Sequence, residues 1–160
     1  MWTVRAVIIT ALIGAWCDCL NPMTTDFDSC RKNTHEPIVF FITPTHEQYT
    51  QLADLTRMGQ FLQLSAEVRK HNIYWIVVED SRGNGSSHIR QLLQRTGIAF
   101  SHLVKASPQI SASSMYGFKS NKGILQRNRA MDEIDNFYVN NPNSPRDGVL
   151  YFADSDNAYD

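Results

Sequence analysis

The sequence predicts an α/β fold, with a mostly parallel sheet and helices on both of its faces, and three observations carry this prediction. Four short apolar runs rich in β-branched and aromatic residues have the length of buried strands. Three segments in which apolar residues recur at helical spacing lie between them. The two kinds of segment alternate along the chain, which is typical of a parallel sheet covered by helices.

The first strand and the first helix open the globular part of the chain. Residues 38–43 are rich in β-branched and aromatic side chains, and Pro44 is expected to end this strand in a turn. From Glu47 to about Lys70 the apolar spacing predicts a helix. Its expected apolar side is formed by Leu52, Leu55, Met58, Phe61, Leu62 and Leu64.

The middle elements continue the alternation. Residues 73–78 form the second apolar run and residues 99–104 form the third, so both are predicted strands. A short helix is predicted between them over residues 86–95, with Gly97 as its stop. The apolar face of this helix consists of Ile89, Leu92 and Leu93.

The last elements are a polar loop over residues 105–121, a helix over 122–139 and a fourth strand over 149–153, which is expected to be buried. The predicted sheet is incomplete at its carboxyl-terminal end. If the fourth strand is central, the chain as given leaves one sheet edge and one apolar face uncovered. We therefore expect the isolated chain to aggregate or to unfold easily.

The first 20 residues differ from the rest of the chain. Arg5 precedes about a dozen apolar residues and Asp18 ends the run, which predicts a signal-peptide core or a short signal anchor. A buried helix is the alternative, and the run is short for a spanning helix, which needs about 20 apolar residues. Whether the leader is cleaved stays open. Residues 21–36 are polar and are interpreted as a stem, so residues 37–160 form the globular part.

The cysteines and one glycosylation sequon agree with entry into the secretory pathway. Cys17, Cys19 and Cys30 all lie in the leader and the stem, and their spacing matches no zinc pattern. A disulfide is permitted in the secretory lumen. Asn84 begins the only N-glycosylation sequon, which continues through Gly85 to Ser86 in a loop that would tolerate a glycan.

The charge of the chain leaves function to local sites, and the strongest local signal is acidic. The formal net charge is −1, so nothing draws the whole protein to nucleic acid or to an acidic membrane surface. The apolar run 148–153 leads directly into Asp154 and Asp156. This arrangement predicts carboxylates at the carboxyl edge of a sheet, where open α/β sheets bind ligands. Carboxylates suit Mg²⁺ or Mn²⁺ bridging a diphosphate.

Polar residues follow three of the predicted strands, in the segments 43–46, 79–80 and 154–156. Because the carboxyl ends of parallel strands share one edge, these residues are expected to converge. Asp80 is a candidate to accept hydrogen bonds from a base or ribose. Asp156, with Asp154 as a helper, is a candidate to hold a divalent cation. Each acidic residue alone could equally be a solvated loop residue.

Basic residues lie near the start of the predicted third helix. A helix N-terminus favours phosphate, and the guanidinium of Arg127 offers two parallel donors, with Lys122 beside it. These two residues and Arg129 could equally form a solvated helix face. The chain has no glycine-rich phosphate loop, because the glycines at 83 and 85 lack the required spacing.

Five segments, in this order, resemble glycosyltransferase family 43, the β-1,3-glucuronosyltransferases that use UDP-glucuronic acid. They are Thr43-Pro44-Thr45, Val77-Val78-Glu79-Asp80, Gly97–Leu103, Lys122–Asn128 and Tyr151–Asn157. The resemblance covers roughly residues 37–160. It implies a GT-A fold, which is Rossmann-like, together with Mn²⁺ dependence, inversion at the sugar and a homodimer. It also implies a Golgi type II membrane protein anchored by its N-terminal segment, with secretion as the alternative. The acceptor would be a galactose-ended glycan on a protein, either a proteoglycan linker or a glycoprotein.

For the nucleoside end of the donor, the resemblance implies four residues. Pro44, Thr45 and His46 would line the uridine pocket, and Asp80 would form a hydrogen bond with the uracil. His46 departs from the family pattern, because tyrosine is usual at this position. An imidazole can still stack on a base, but it offers a smaller ring.

For the rest of the donor, the resemblance implies five residues. Lys122 and Arg127 would contact the donor, Asp154 and Ser155 would bind around the ribose, and Asp156 would ligate Mn²⁺. Lys122 stands where arginine is usual and so lacks the bidentate fork. Ser155 stands where the family has a middle aspartate, which removes one negative charge.

Two classes of function are left open by these residues. The family's acceptor-binding half, with the glutamate that acts as base, would follow the Asp-x-Asp motif, so no catalytic residue is predicted in this chain. The first class is the donor-binding part of a glucuronosyltransferase. The second is an inactive short relative that binds UDP or pairs with a complete homologue. A nucleotidyltransferase is a weaker third reading, against which the leader argues. No nucleic-acid partner is expected.

Overall fold

The computed structural model describes residues 36–69, 72–108, 123–144 and 146–156. The predicted leader, the three cysteines and nearly all of the predicted stem lie outside the described residues. Seven elements occur in the described part of the chain. They are β1 (Ile38–His46), α1 (Gln51–Arg69), β2 (Asn72–Asp80), α2 (Ser87–Arg95), β3 (Ala99–Val104), α3 (Ile124–Asn140) and β4 (Val149–Phe152). The predicted alternation of strands and helices is therefore confirmed.

The four strands form one sheet in the order β3-β2-β1-β4, and every neighbouring pair is parallel. β1 and β2 pair over their whole length, from Ile38 opposite Asn72 to His46 opposite Asp80. In β2 every residue except Asp80 is buried. A strand buried on both faces is expected to be apolar throughout, which explains the continuous run that predicted it.

Helices cover both faces of the sheet, as predicted. On one face α1 and α2 pack against Trp75, using Leu55, Leu62, Ile89 and Leu93. On the other face α3 packs its buried side against the sheet, with a core formed by Phe40, Tyr74, Ile76, Val78, Ala130, Ile134 and Phe137. Because successive side chains of a strand point to opposite faces, β2 contributes alternate residues to the two cores.

Helices α2 and α3 match their predictions with small differences at their ends. α2 begins after Ser86, whose side chain accepts a hydrogen bond from the backbone of Ile89, as an N-cap residue should. The chain leaves this helix through Gly97 at a φ of 64°, a left-handed conformation that favours glycine. Among the described helices, none has the length and apolar character needed to cross a membrane.

The predicted bounds of β1, β2 and α1 are wrong. β2 extends from Asn72 to Asp80 rather than over residues 73–78, so Glu79 and Asp80 are part of the strand. Pro44 does not end β1, which continues to His46. β4 pairs only with residues 39–42 of β1, so one side of β1 is open beyond Ile42, where a proline can be accommodated. The first helix begins at Gln51 rather than at Glu47, and Gln51 is buried with its side-chain nitrogen bonded to Thr45.

The apolar face of α1 is narrower than predicted. Leu55, Met58 and Leu62 are buried, but Leu52 and Leu64 are 44% and 60% exposed. Only the residues that point at Trp75 and the neighbouring helix are covered, because a straight helix presents a limited stripe to a twisted sheet.

The fourth strand is parallel, as expected, but it is not buried. Its four residues, Val149, Leu150, Tyr151 and Phe152, are 40–52% exposed. Within the described part of the chain β4 pairs only with β1 and forms an edge of the sheet. Apolar sequence alone predicted burial, whereas burial also requires a neighbour on each side of the strand.

Candidate functional site

The carboxyl ends of the strands open onto a cavity of about 500 Å³ that contains all of the described residues predicted for the donor site. The residues that line it are Pro44, Thr45, His46, Gln48, Asp80, Ser107, Gly123, Gln126, Arg127, Asp154, Ser155 and Asp156. Lys122 lies outside the described residues. A cavity of about 450 Å³ between α1 and α2 contains none of the predicted site residues.

The parallel register explains why these residues meet. His46 and Asp80 are paired across β1 and β2 at the last position of both strands. β4 is in register with β1 through Phe152, so the turn that begins at Asp154 follows at the same edge. The expected convergence of polar residues at this edge is therefore observed.

Asp80 is held in place by Ser107, a residue that the sequence did not single out. The backbone N–H of Ser107 donates to one carboxylate oxygen at 2.7 Å, and its hydroxyl donates to the other at 2.6 Å. The side-chain nitrogen of Gln126 in turn donates to the hydroxyl oxygen of Ser107 at 3.2 Å and to the carbonyl of Lys105 at 2.7 Å. The carboxylate of Asp80 is thus fixed from the inner wall of the cavity.

Glu79, the neighbour of Asp80, does not belong to the cavity. It is 6% exposed, and its carboxylate accepts from the backbone N–H of Ser86 at 2.8 Å and contacts Nε2 of His102 at 3.1 Å. The reason is strand alternation, which points adjacent side chains to opposite faces. Burial lowers the pKa of His102 and outweighs the opposing effect of Glu79, so a neutral imidazole donates to the carboxylate. Of the two acidic residues predicted after the second strand, Asp80 therefore lines the cavity, and Glu79 is buried in the interior against His102.

Arg127 reaches across the cavity from the first turn of α3. Its guanidinium donates to the carboxylate of Asp154 at 2.8 Å and lies 5.9 Å from the ring centre of Phe152. Gly123, at a φ of 82°, begins the helix, and a Cβ there would lie 2.7 Å from the Arg127 guanidinium. The left-handed backbone conformation favours glycine at this position, whereas the end of the flexible arginine side chain could move aside.

The end of β1 contributes residues of different accessibility. Thr45 is 3% exposed, and its hydroxyl oxygen accepts from the side chain of Gln51 at 3.1 Å. His46 is exposed at the rim of the cavity, and Pro44 is half-buried. Thr45 therefore forms the floor of the cavity, and His46 is the residue free to meet a ligand ring.

The turn after β4 presents its two aspartates and hides its serine. Asp154 and Asp156 are exposed, whereas Ser155 is 7% exposed. Arg57 of α1 donates to the backbone carbonyl of Asp156 at 3.3 Å, which ties the turn to the helix. Nothing in the local sequence around Arg57 signals this contact, which joins residues 99 positions apart.

The carboxylates of the cavity are the groups that could ligate a divalent cation. The described part of the chain has no group of three or more histidine, cysteine or acidic residues able to hold a metal on its own. Mg²⁺-type cations commonly bind through one or two carboxylates and complete their coordination with water and substrate phosphates. Among the described residues, none forms a hydrogen bond or an ion pair with the Asp156 carboxylate, whereas Asp154 is paired with Arg127. Asp156 is therefore the available ligand.

The fold is a parallel, Rossmann-like α/β sheet, and open sheets of this class bind ligands at the carboxyl edge, where this chain carries carboxylates, an arginine and a helix N-terminus. Comparison with known families is more specific. The model of glycosyltransferase family 43 matches residues 63–160. The chain belongs to this family, and the resemblance found in the sequence is confirmed.

Individual relatives support the same assignment. The chain is 39% identical over 134 residues to galactosylgalactosylxylosylprotein 3-beta-glucuronosyltransferase sqv-8 of Caenorhabditis elegans, covering 81% of this chain and 34% of that protein. It is 32% identical over 131 residues to the human galactosylgalactosylxylosylprotein 3-beta-glucuronosyltransferase 3, covering 77% of this chain and 37% of that protein. It is also 32% identical over 126 residues to galactosylgalactosylxylosylprotein 3-beta-glucuronosyltransferase P of Drosophila melanogaster, covering 78% of this chain and 23% of that protein. The chain thus spans 23–37% of the length of these relatives.

Proposed function

We propose that this chain is the donor-binding part of a glucuronosyltransferase, which transfers glucuronic acid from UDP-glucuronate to a galactose-ended glycan of a proteoglycan linker or glycoprotein. The observation that carries the proposal is the convergence of eight predicted donor residues, from four separate chain segments, on one cavity. Membership of glycosyltransferase family 43 supports the reaction class. The names of the relatives support the transferred sugar and the acceptor.

The nucleoside of the donor would bind between Asp80 and His46. An ionised carboxylate is an acceptor only, so Asp80 accepts a hydrogen from the base. The exposed ring of His46 offers a face on which the base can stack. The two residues are neighbours by strand register, which keeps the acceptor and the stacking face at a constant spacing.

The diphosphate would bind between Arg127 and the turn at 154–156. Arg127 already has its guanidinium in the cavity, where it donates to Asp154, and a phosphate offers a stronger acceptor for the same fork. Asp156 would hold the divalent cation, Mn²⁺ in this proposal. Such a cation, when bound, supplies neutralisation of the negative charge on the departing diphosphate.

The reaction of the whole protein is a direct displacement that inverts the sugar. A base removes the proton of the acceptor hydroxyl, the hydroxyl oxygen attacks the anomeric carbon, and UDP leaves. We assign no base among the described residues. In this proposal Arg127 would act on the leaving-group side, because it lines the cavity beside the turn at 154–156, where the diphosphate would gain negative charge as UDP leaves.

Binding of UDP to the full chain, with and without Mn²⁺, tests the proposal. Isothermal titration should show that Mn²⁺ tightens UDP binding and that Asp156→Ala removes this effect. Asp135→Ala is the matched control, because Asp135 is an exposed aspartate of α3 that does not line the cavity. Identical titrations for both variants and the wild type would reject the donor site and favour an interaction role.

Location and assembly form part of the same proposal. The protein would reside in the Golgi membrane with its globular part in the lumen, held by residues 1–20, and would form a homodimer. Imaging of the tagged protein in cells, with a variant that lacks residues 1–20, tests the location. Sedimentation of the purified protein tests the dimer. A cytosolic distribution of the intact chain would contradict the lumenal assignment.

A further inference from the structure

Asp80 is the end point of a hydrogen-bonded relay that begins on α3. Gln126 donates its side-chain N–H to the hydroxyl oxygen of Ser107, and Ser107 donates its own hydroxyl hydrogen to Asp80. The direction of the first step is determined, because the same Gln126 nitrogen also donates to the carbonyl of Lys105 at 2.7 Å. The hydrogen of Ser107 is therefore directed at the carboxylate, and Asp80 has no donor of its own to offer.

Gln126 holds the relay from a buried position. It is 1% exposed, and within the described part of the chain its side-chain oxygen has no hydrogen-bond partner. Its side-chain nitrogen donates to both the Lys105 carbonyl and the Ser107 hydroxyl, so an apolar side chain of the same length would remove the donor of both. Gln126 also lines the cavity, where its nitrogen orients Ser107.

We propose that Ser107 and Gln126 are specificity-determining positioning residues, which hold Asp80 as an acceptor so that the cavity selects a base with a ring N–H donor. This inference rests on the proposed function, because it assumes that the nucleoside of the donor lies against Asp80. Uracil presents a ring N–H at the position where cytosine presents a lone pair. A carboxylate that Ser107 holds with two donors attracts the ring N–H of uracil and repels the lone pair of cytosine.

The geometry explains why the hydroxyl of Ser107 is needed in addition to its backbone. The backbone N–H reaches only one oxygen of Asp80, at 2.7 Å, and a carboxylate held at one oxygen can rotate about its last side-chain bond. The hydroxyl holds the second oxygen at 2.6 Å and removes this freedom. Ser107 therefore sets the direction of the remaining acceptor lone pairs.

The test is a comparison of UDP and CDP binding to the full chain by isothermal titration. We expect the wild type to prefer UDP. Ser107→Ala should weaken UDP binding by about three- to tenfold, the effect of one hydrogen bond, and reduce the ratio of UDP to CDP affinity. Ser107→Thr should restore both values, because it returns the hydroxyl. Gln126→Met should move the ratio in the same direction as Ser107→Ala.

A control variant and a modified ligand separate positioning from general damage. Ser101→Ala removes a part-buried serine that bonds Glu133 at 2.8 Å outside the cavity, and it should leave the ratio unchanged. UDP methylated at the ring nitrogen lacks the donor, so wild type and Ser107→Ala should bind it equally. Circular dichroism should confirm that each variant is folded.

The outcomes distinguish the two proposals. Wild-type protein that binds UDP, with a UDP to CDP ratio unaltered in both Ser107→Ala and Gln126→Met, overturns the positioning role alone. Loss of methylated-UDP binding in Ser107→Ala as large as the loss of UDP binding overturns it as well. Wild-type protein that binds no nucleotide overturns the proposed function, and with it this inference.

Discussion

Arg127 provides the sharpest test of the donor site, because its loss should reduce stability only slightly but should clearly weaken UDP binding. Its ion pair with Asp154 is 2.8 Å long, but the two side chains are 31% and 53% exposed. An exposed ion pair contributes about 0.2–1 kcal/mol. The contact with Phe152, at 5.9 Å, adds about 0.5–1 kcal/mol at an exposed site. Arg127→Ala should therefore lower the free energy of unfolding by at most about 2 kcal/mol.

The loss of binding free energy for UDP should be somewhat larger than this loss of stability. A hydrogen bond to a charged group contributes about 1.5–3 kcal/mol, which corresponds to a roughly 10- to 100-fold rise in the dissociation constant. Arg129→Ala is the matched control. Arg129 lies on the same helix, is also 31% exposed and pairs with Glu133 at 3.4 Å, but it does not line the cavity.

The assay combines urea denaturation, followed by circular dichroism, with titration of UDP in the presence of Mn²⁺. Both arginine variants should unfold close to the wild-type midpoint, and only Arg127→Ala should lose affinity. Equal affinity in the two variants would refute the reasoning, because the cavity would then not use the guanidinium. An Arg127→Ala protein that no longer folds would show that the small energy assigned to the ion pair is wrong.

Three further predictions concern other parts of the chain. Burial lowers the pKa of His102, so the folded state favours the neutral imidazole and stability is lost as the pH falls below about 6.5. Between about pH 7.5 and about pH 5.5, the urea midpoint should therefore fall more in the wild type and in the exposed-site control His88→Asn than in His102→Asn. Equal slopes of midpoint against pH in the three proteins would contradict this prediction. Asn84 is exposed, so protein made in a secretory host should lose mass with a glycosidase unless it carries Asn84→Gln, and unchanged mobility of the wild type would show an unused sequon. The apolar edge at β4 should cause the chain to associate, as judged by light scattering, and Val149→Lys should reduce association. A soluble wild-type monomer with a sharp, cooperative melt would contradict the last prediction.

Much of the fold and of the site was predictable because the signals are local. The apolar run of β2 indicates a strand that is covered on both faces. The polar residue at its end, Asp80, indicates the edge of the sheet at which ligands bind in such folds. β3 has the predicted bounds, and Ser86 and Gly97 bracket α2 as their backbone preferences indicate. The residues predicted for the donor site lie together because parallel register aligns the carboxyl ends of the strands.

The errors and omissions concern contacts between distant segments. Neighbouring acidic residues 79 and 80 look alike in sequence, yet one is buried against His102 and the other faces the cavity, which only strand alternation in the folded sheet decides. Burial of β4 depends on whether a second strand lies beside it, and its own apolar residues carry no information on that point.

The sequence by itself determined the order and type of the elements and the residues offered at the strand ends, because these follow from periodicity and from the chemistry of single side chains. The tertiary structure alone decided what holds those residues. Ser107, Gln126 and Arg57 reach the site across 27, 19 and 99 positions of chain, measured to their partners at Asp80, Ser107 and Asp156. No local pattern encodes such a separation, since the contact exists only after the sheet has brought its carboxyl ends to one edge.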